Sequence, residues 1–157
     1  MPSRAMIGLG GNVGDRSAAL EGAVAALAAF PEIEIVRVSD FIETEPVGGP
    51  PRQGPYLNAA LEIETTLDPI GLLRRLQVVE SRFGRVRTVR WGERTLDLDL
   101  LLFDDLVLDS PELTVPHPRM TGRRFVLEPL AEIAPTTVIP GTGRTVTEWL
   151  DALPDRK

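Results

Sequence analysis

Alternation between apolar and polar positions is clearest from Tyr56 to Thr65. Leu57, Ala59, Leu61 and Ile63 share one parity and Asn58, Glu62 and Glu64 the other, the period of a half-buried strand. Thr95 to Phe103 is a second strand, apolar at nearly every position and so expected near the centre of a sheet. Ala5 to Gly10 reads as a first strand that runs into a glycine turn, Gly8-Leu9-Gly10-Gly11-Asn12-Val13-Gly14. Ile33, Ile35 and Val38 begin another strand, which continues to about Thr44. Helical spacing appears twice between these runs. Leu20, Val24, Leu27 and Phe30 form one stripe, with Asp15 as N-cap and Pro31 past the end. Leu72, Leu76, Val79 and Phe83 form the other, with Asp68-Pro69 at its start and Gly84 as its stop. Pro46–Pro55 and Arg85–Arg94 are loops, the first too rich in Gly and Pro for regular structure. Phe125–Ile133 and Val146–Leu153 are expected to be short helices.

The order strand, helix, strand, strand, helix, strand predicts an α+β fold. It matches a ferredoxin-like βαββαβ sandwich, with helices on one face of a mixed, mostly antiparallel sheet and short C-terminal additions. With no repeat or linker, residues 1–157 are expected to form a single domain.

Composition mainly excludes. A formal net charge of −6 argues against a nucleic-acid partner, which requires a basic face. No apolar run is long enough to cross a bilayer, and no export signal is read at the N-terminus, so a cytoplasmic monomer is expected. With no cysteine there is no disulfide and no thiolate ligand. The basic residues are unevenly placed: Arg74, Arg75, Arg82, Arg85, Arg87, Arg90 and Arg94 crowd one stretch, opposed there by Glu80 and Glu93. Such a cluster suits a compact anion such as a nucleotide triphosphate, although for Arg74, Arg75 and Arg82 a solvated helix face is the better account.

The candidate chemistry centres on Asp97-Leu98-Asp99. Residues two apart on a strand point to the same side, roughly 6–7 Å apart, so Asp97 and Asp99 emerge together while Leu96, Leu98 and Leu100 face the core. Two neighbouring carboxylates on a largely buried strand repel each other and lose solvation. A hard divalent cation such as Mg²⁺ compensates, and so would pairing with Arg90 and Arg94. The preceding Arg90-Trp91-Gly92-Glu93-Arg94-Thr95 puts guanidiniums beside the carboxylates, the mixture that triphosphate–magnesium binding requires. Trp91 is a packing anchor or a lid residue. His117, the only histidine, is stiffened by Pro116 and Pro118, and is a fixed hydrogen-bond donor to a phosphate or a surface residue in a tight loop; alone it cannot build a zinc site. The glycine run lacks the ending of a Walker loop and the third glycine of a dinucleotide fingerprint, so tight-turn geometry accounts for it better than nucleotide binding.

Several strings, in order, resemble the 6-hydroxymethyl-7,8-dihydropterin pyrophosphokinases of folate biosynthesis. They are Gly8-Leu9-Gly10-Gly11-Asn12-Val13-Gly14-Asp15, Tyr56-Leu57-Asn58-Ala59-Ala60, Gly84-Arg85-Val86-Arg87, Arg90-Trp91-Gly92, Arg94-Thr95-Leu96-Asp97-Leu98-Asp99 and Val115-Pro116-His117-Pro118-Arg119-Met120, followed by Phe125-Val126-Leu127. The resemblance implies transfer of the pyrophosphoryl group of ATP to the pterin hydroxymethyl oxygen, with AMP leaving. It implies that Asp97 and Asp99 hold two Mg²⁺ ions, and that Arg85 and Arg94 stabilise the transferred group. Gln77, Glu80, Trp91, His117 and Arg123 fall on the ATP side. Tyr56 and Phe125 match the aromatic pair around the pterin, with Asn58, Thr44 and Val47 as its hydrogen-bonding neighbours. The sequence departs from the family pattern at Glu93, where Pro is common, at Gly11 in place of Ser, and at Thr121-Gly122. The competing readings are a noncatalytic ferredoxin-like nucleotide-binding module and a phosphotransferase that cleaves at the γ-phosphorus.

Overall fold

The structure, a computed structural model, describes residues 2–11, 16–44, 56–83 and 96–154. Strand β1 (Ser3–Gly11) leads to helix α1 (Arg16–Ala28), then β2 (Ile33–Val38), β3 (Ile42–Thr44) and β4 (Tyr56–Thr65). Helix α2 (Pro69–Phe83) and strand β5 (Asp97–Phe103) follow. The C-terminal third adds β6 (Leu108–Asp109), β7 (Thr114–Val115), a 3-10 turn at Met120–Gly122, α3 (Arg124–Ile133), β8 (Val138–Ile139), β9 (Arg144–Thr145) and α4 (Val146–Asp151).

The main sheet runs β2-β4-β1-β5, with β3 also on β4. Every pairing in it is antiparallel. This corrects the expectation of a mixed sheet. Each helical crossover skips one strand: β1 reaches β2 across β4, and β4 reaches β5 across β1. Strands of like direction are therefore separated by one of opposite direction, and no parallel ladder forms.

Both faces of the sheet are covered, which corrects the expectation of helices on one face. The alternation of β4 sends Ala59, Leu61 and Ile63 to a core shared with Leu20 and Leu27 of α1 and Leu72, Leu76 and Val79 of α2. Met6, Ala60, Leu101 and Leu102 point the other way and meet Val126, Leu127, Leu130 and Ile133 of α3, with Val146 of α4. An amphipathic stripe declares that a helix has a buried side, not which sheet face it will bury.

The strand expected from Ile33 to Thr44 is broken into β2 and β3 at Ser39. The Ser39 N–H donates to the Ala60 carbonyl at 2.9 Å, and its Oγ accepts from the Ala60 N–H at 2.8 Å. A side-chain oxygen thus replaces a backbone acceptor in the ladder. At the start of α2, Asp68 Oδ1 accepts from the Gly71 N–H at 2.7 Å, as its position before Pro69 predicts. The proposed Asp15 cap of α1 and the Gly84 stop of α2 lie outside the described residues. Asp68→Ala should lower stability by about 1 kcal/mol, measured by urea unfolding, with no change in the overall circular dichroism of the native state.

Candidate active site

The glycines of β1 do not begin the expected turn, whose remainder, Asn12 to Gly14, lies outside the described residues. Gly8, Gly10 and Gly11 remain in the strand, paired on both sides or with β4. Gly10 lies between Asn58 of β4 and Asp97 of β5, and Gly8 between Ala60 and Asp99. Two rows across three strands thus carry groups at their ends and nothing on the middle strand. The result is a trough in the α3 side of the sheet.

The trough is the floor of a cleft of about 230 Å³. Asn58 lies low against the floor, Asp97 and Asp99 flank it on β5, and Arg123, Phe125 and Val126 come in from the start of α3. The carboxylates lie opposite Leu98 and Leu100, which enter the core, so strand parity fixes their shared side. Asp97 is exposed and Asp99 half-buried. The Arg123 guanidinium carbon lies 5.4 Å from the centre of the Phe125 ring, within cation–π range.

His117 is positioned by its own backbone, whose N–H donates to the Leu101 carbonyl at 2.9 Å. Its Nδ1 accepts from the Arg119 N–H at 3.2 Å, and its Nε2 is 4.0 Å from Asp99 Oδ1. Burial lowers the imidazole pKa below its ordinary 6.5; Asp99 opposes this, while Arg123 and Arg119 reinforce it. At neutral pH the ring is therefore uncharged. With Nδ1 accepting, the proton resides on Nε2, which is offered as a donor on the side of Asp99.

Glu80, only 8% exposed, accepts from the Leu98 N–H at 2.7 Å. Leu98 stands between the two aspartates, and β5 has β1 as its one partner in the main sheet. The glutamate therefore holds an otherwise unladdered amide of β5 and ties the acidic segment to α2. Gln77, one turn earlier, is exposed and accepts from Arg74 at 3.1 Å; it lines neither cleft described here. Thr44 and Tyr56 pair at the ends of β3 and β4, and their side chains lie outside the described residues. Val47, Arg85, Trp91 and Arg94 also lie outside them.

A second cleft, about 270 Å³, adjoins the first through Asp99. Leu73, Leu98, Leu100, Leu113, Thr114 and His117 line it. Leu73 and Thr114 were not singled out by sequence, since a leucine in a helical stripe and a threonine in a short strand carry no local signal. Size alone does not select the site. A cleft of about 720 Å³ at the other end of β1 is lined by Arg4, Asp104 and Thr137 among others. There Arg4 is already engaged, by Glu62 at 2.7 Å and Thr137 at 3.1 Å.

Fold and cleft together define an α+β protein with an antiparallel sheet and an acidic cleft floored by glycine. Among the described residues there is no group of three or more His, Cys, Asp or Glu that could hold a metal ion, and the acidic residues lining this cleft are Asp97 and Asp99. The chain belongs to the 7,8-dihydro-6-hydroxymethylpterin-pyrophosphokinase (HPPK) family, whose profile matches residues 6–135. It is 49% identical over 133 residues to the 2-amino-4-hydroxy-6-hydroxymethyldihydropteridine pyrophosphokinase of Bacillus subtilis, covering 85% of this chain and 79% of that protein. Identity to the enzyme of the same name from Pseudomonas aeruginosa is 42% over 154 residues, covering 98% and 94%. The fold is similar to a crystal structure of a Plasmodium falciparum HPPK-DHPS triple mutant, with a TM-score of 0.75 at 14% identity over 96% of this chain. The chain spans 44% of the length of that larger protein.

Two measurements test this geometry. In an NMR titration the lone imidazole should titrate below 6.5, and Asp99→Asn should move the midpoint lower still, because it removes the charge that favours the imidazolium. Glu80→Leu should leave the Leu98 amide without its acceptor, at a cost of about 1–3 kcal/mol and with faster hydrogen exchange at that amide. Glu80→Gln, which keeps an accepting oxygen, should retain most of the protection.

Proposed function

We propose that the chain transfers the pyrophosphoryl group of ATP to the hydroxymethyl oxygen of 6-hydroxymethyl-7,8-dihydropterin, releasing AMP, in folate biosynthesis. The observation that carries this reading is the placement of Asp97 and Asp99 on a glycine floor beside Asn58 and Phe125, in a chain of this family. A flat heterocycle fits a slot bounded by backbone and an aromatic ring, and the carboxamide of Asn58 can both donate to and accept from its edge.

In the reaction the hydroxymethyl oxygen bonds to the β-phosphorus, and the bond from that phosphorus to the oxygen bridging the α-phosphorus breaks. AMP leaves with the bridging oxygen. Catalysis of this kind consists of alignment and charge stabilisation. Asp97 and Asp99 supply hard carboxylate oxygens in a chain without cysteine, a donor set that fits Mg²⁺. We assign both residues to hold two Mg²⁺ ions, which when bound neutralise charge on the polyphosphate. Asp97 is the group assigned to help remove the hydroxyl proton. Arg85 and Arg94 are assigned to the transferred group, and His117, with a neutral Nε2–H donor, to a phosphate oxygen. Arg123 and Trp91 complete the ATP side, with Gln77 and Glu80 at its border on α2. Thr44, Val47, Tyr56, Asn58 and Phe125 are assigned to the pterin.

Asp99 belongs to both clefts, which supports a division of labour around it. The pterin takes the glycine-floored cleft. The nucleoside takes the leucine-lined one, and the phosphates cross between them past His117. We read the strand order as a ferredoxin-like βαββαβ scaffold, and residues 1–157 as one domain acting as a cytoplasmic monomer.

The test is product analysis with ATP, Mg²⁺ and hydroxymethyl-dihydropterin. AMP should form in step with consumption of the pterin. ADP would instead identify a transferase acting at the γ-phosphorus, and ATP binding without turnover would identify a noncatalytic nucleotide module. Asp97→Ala and Asp99→Ala should each lower AMP release by several orders of magnitude while the circular dichroism stays native. Undiminished release from both variants would overturn the metal assignment.

A further inference from the structure

Gly10 occupies the middle of the row Asn58–Gly10–Asp97. A Cβ built on Gly10 would lie 2.9 Å from Asn58 Oδ1. The carboxamide of Asn58 therefore leans across β1 into space that any other residue at position 10 would fill. Asn58 is itself only 5% exposed, so its amide is pressed against the floor of the cleft rather than projecting from it. The next row differs. A Cβ on Gly8 would meet only side-chain atoms of Leu101, at 3.4 Å and beyond, an ordinary contact.

We propose that Gly10 is a specificity-determining positioning residue: its bare Cα lets Asn58 lie across the strand and present its amide to the edge of the heterocycle. The inference rests on the assignment of this cleft to the pterin and adds the device that orients its polar partner. The colliding atom is the far end of a rotatable side chain, so Gly10→Ala is relieved by turning Asn58 rather than by moving the sheet. The fold should survive while the orientation of the amide is lost. A neutral ring depends on directed hydrogen bonds for discrimination, and an amide turned away leaves ring groups without partners. The polyphosphate, held by charge on the far side of Asp99, should not register the change.

The experiment measures binding of 6-hydroxymethylpterin, by its fluorescence, in the presence of Mg²⁺ and a nonhydrolysable ATP analogue. Gly10→Ala should weaken pterin binding by about tenfold or more, the scale of one lost hydrogen bond. The affinity for the ATP analogue should stay within about twofold. In an Asn58→Ala background, Gly10→Ala should add less than about twofold, because the group it displaces is already gone. A full additional loss in that background would mean that the methyl simply fills the cleft, and would overturn the proposal. Undiminished pterin binding by Gly10→Ala would also overturn it. If the wild-type protein binds the ATP analogue but no pterin, the assignment of the cleft fails and the inference fails with it. Should Gly10→Ala not fold, the double variant decides. Folding restored by Asn58→Ala supports the clash, and folding not restored overturns it.

Discussion

Two like charges on one strand are the constraint around which this end of the molecule is arranged. Asp97 and Asp99 project together because Leu98 and Leu100 must enter the core, and strand parity leaves no other choice. Neither can move to the other face of the strand without expelling a leucine. The surroundings instead hold the strand in place. Glu80 fixes the amide between them from α2, and β1 ladders their other side through Gly8 and Gly10. A strand held on both sides keeps the two carboxylates on one face, the placement that the proposed cation site requires.

The cleft exists because the two faces of the sheet are covered unequally. Helices α1 and α2 pack under β1, β4 and β5 along the apolar side. On the other side, α3 begins only at Arg124, and its packing reaches Met6, Ala60, Leu101 and Leu102. Beyond that point no described helix covers the sheet, and glycine there keeps it low. Arg123 and Phe125 stand at the lip because they open the helix that ends the covered region. The site is thus the part of a sheet face that the packed helix leaves uncovered, and the residues at that boundary are the ones offered to a ligand.

Much of this was legible in the sequence. The alternation of Tyr56–Thr65, the Asp68-Pro69 helix start and the parity of Asp97 and Asp99 are local properties, readable wherever one side of an element must be apolar. The features that were missed depend on what lies opposite. The glycine run looked like a turn because glycine permits turns; its use as strand floor depends on Asn58 and the aspartates alongside it. Ser39 breaks a strand through a bond to Ala60, twenty-one residues away in sequence. The placement of α3 on the second face was hidden because its stripe is satisfied by either face. Glu80 read as a residue near a nucleotide, and nothing in its neighbourhood announces a partner on β5.

The charge balance of the chain gains its meaning from the same geometry. A net charge of −6 would repel a polyphosphate at a distance, and two aspartates at the site would add to that. Under the proposed function, divalent cations bound with the nucleotide would offset this repulsion. His117 fits this arrangement as a neutral donor. Burial keeps it neutral, and the nearby Arg119 and Arg123 reinforce that state.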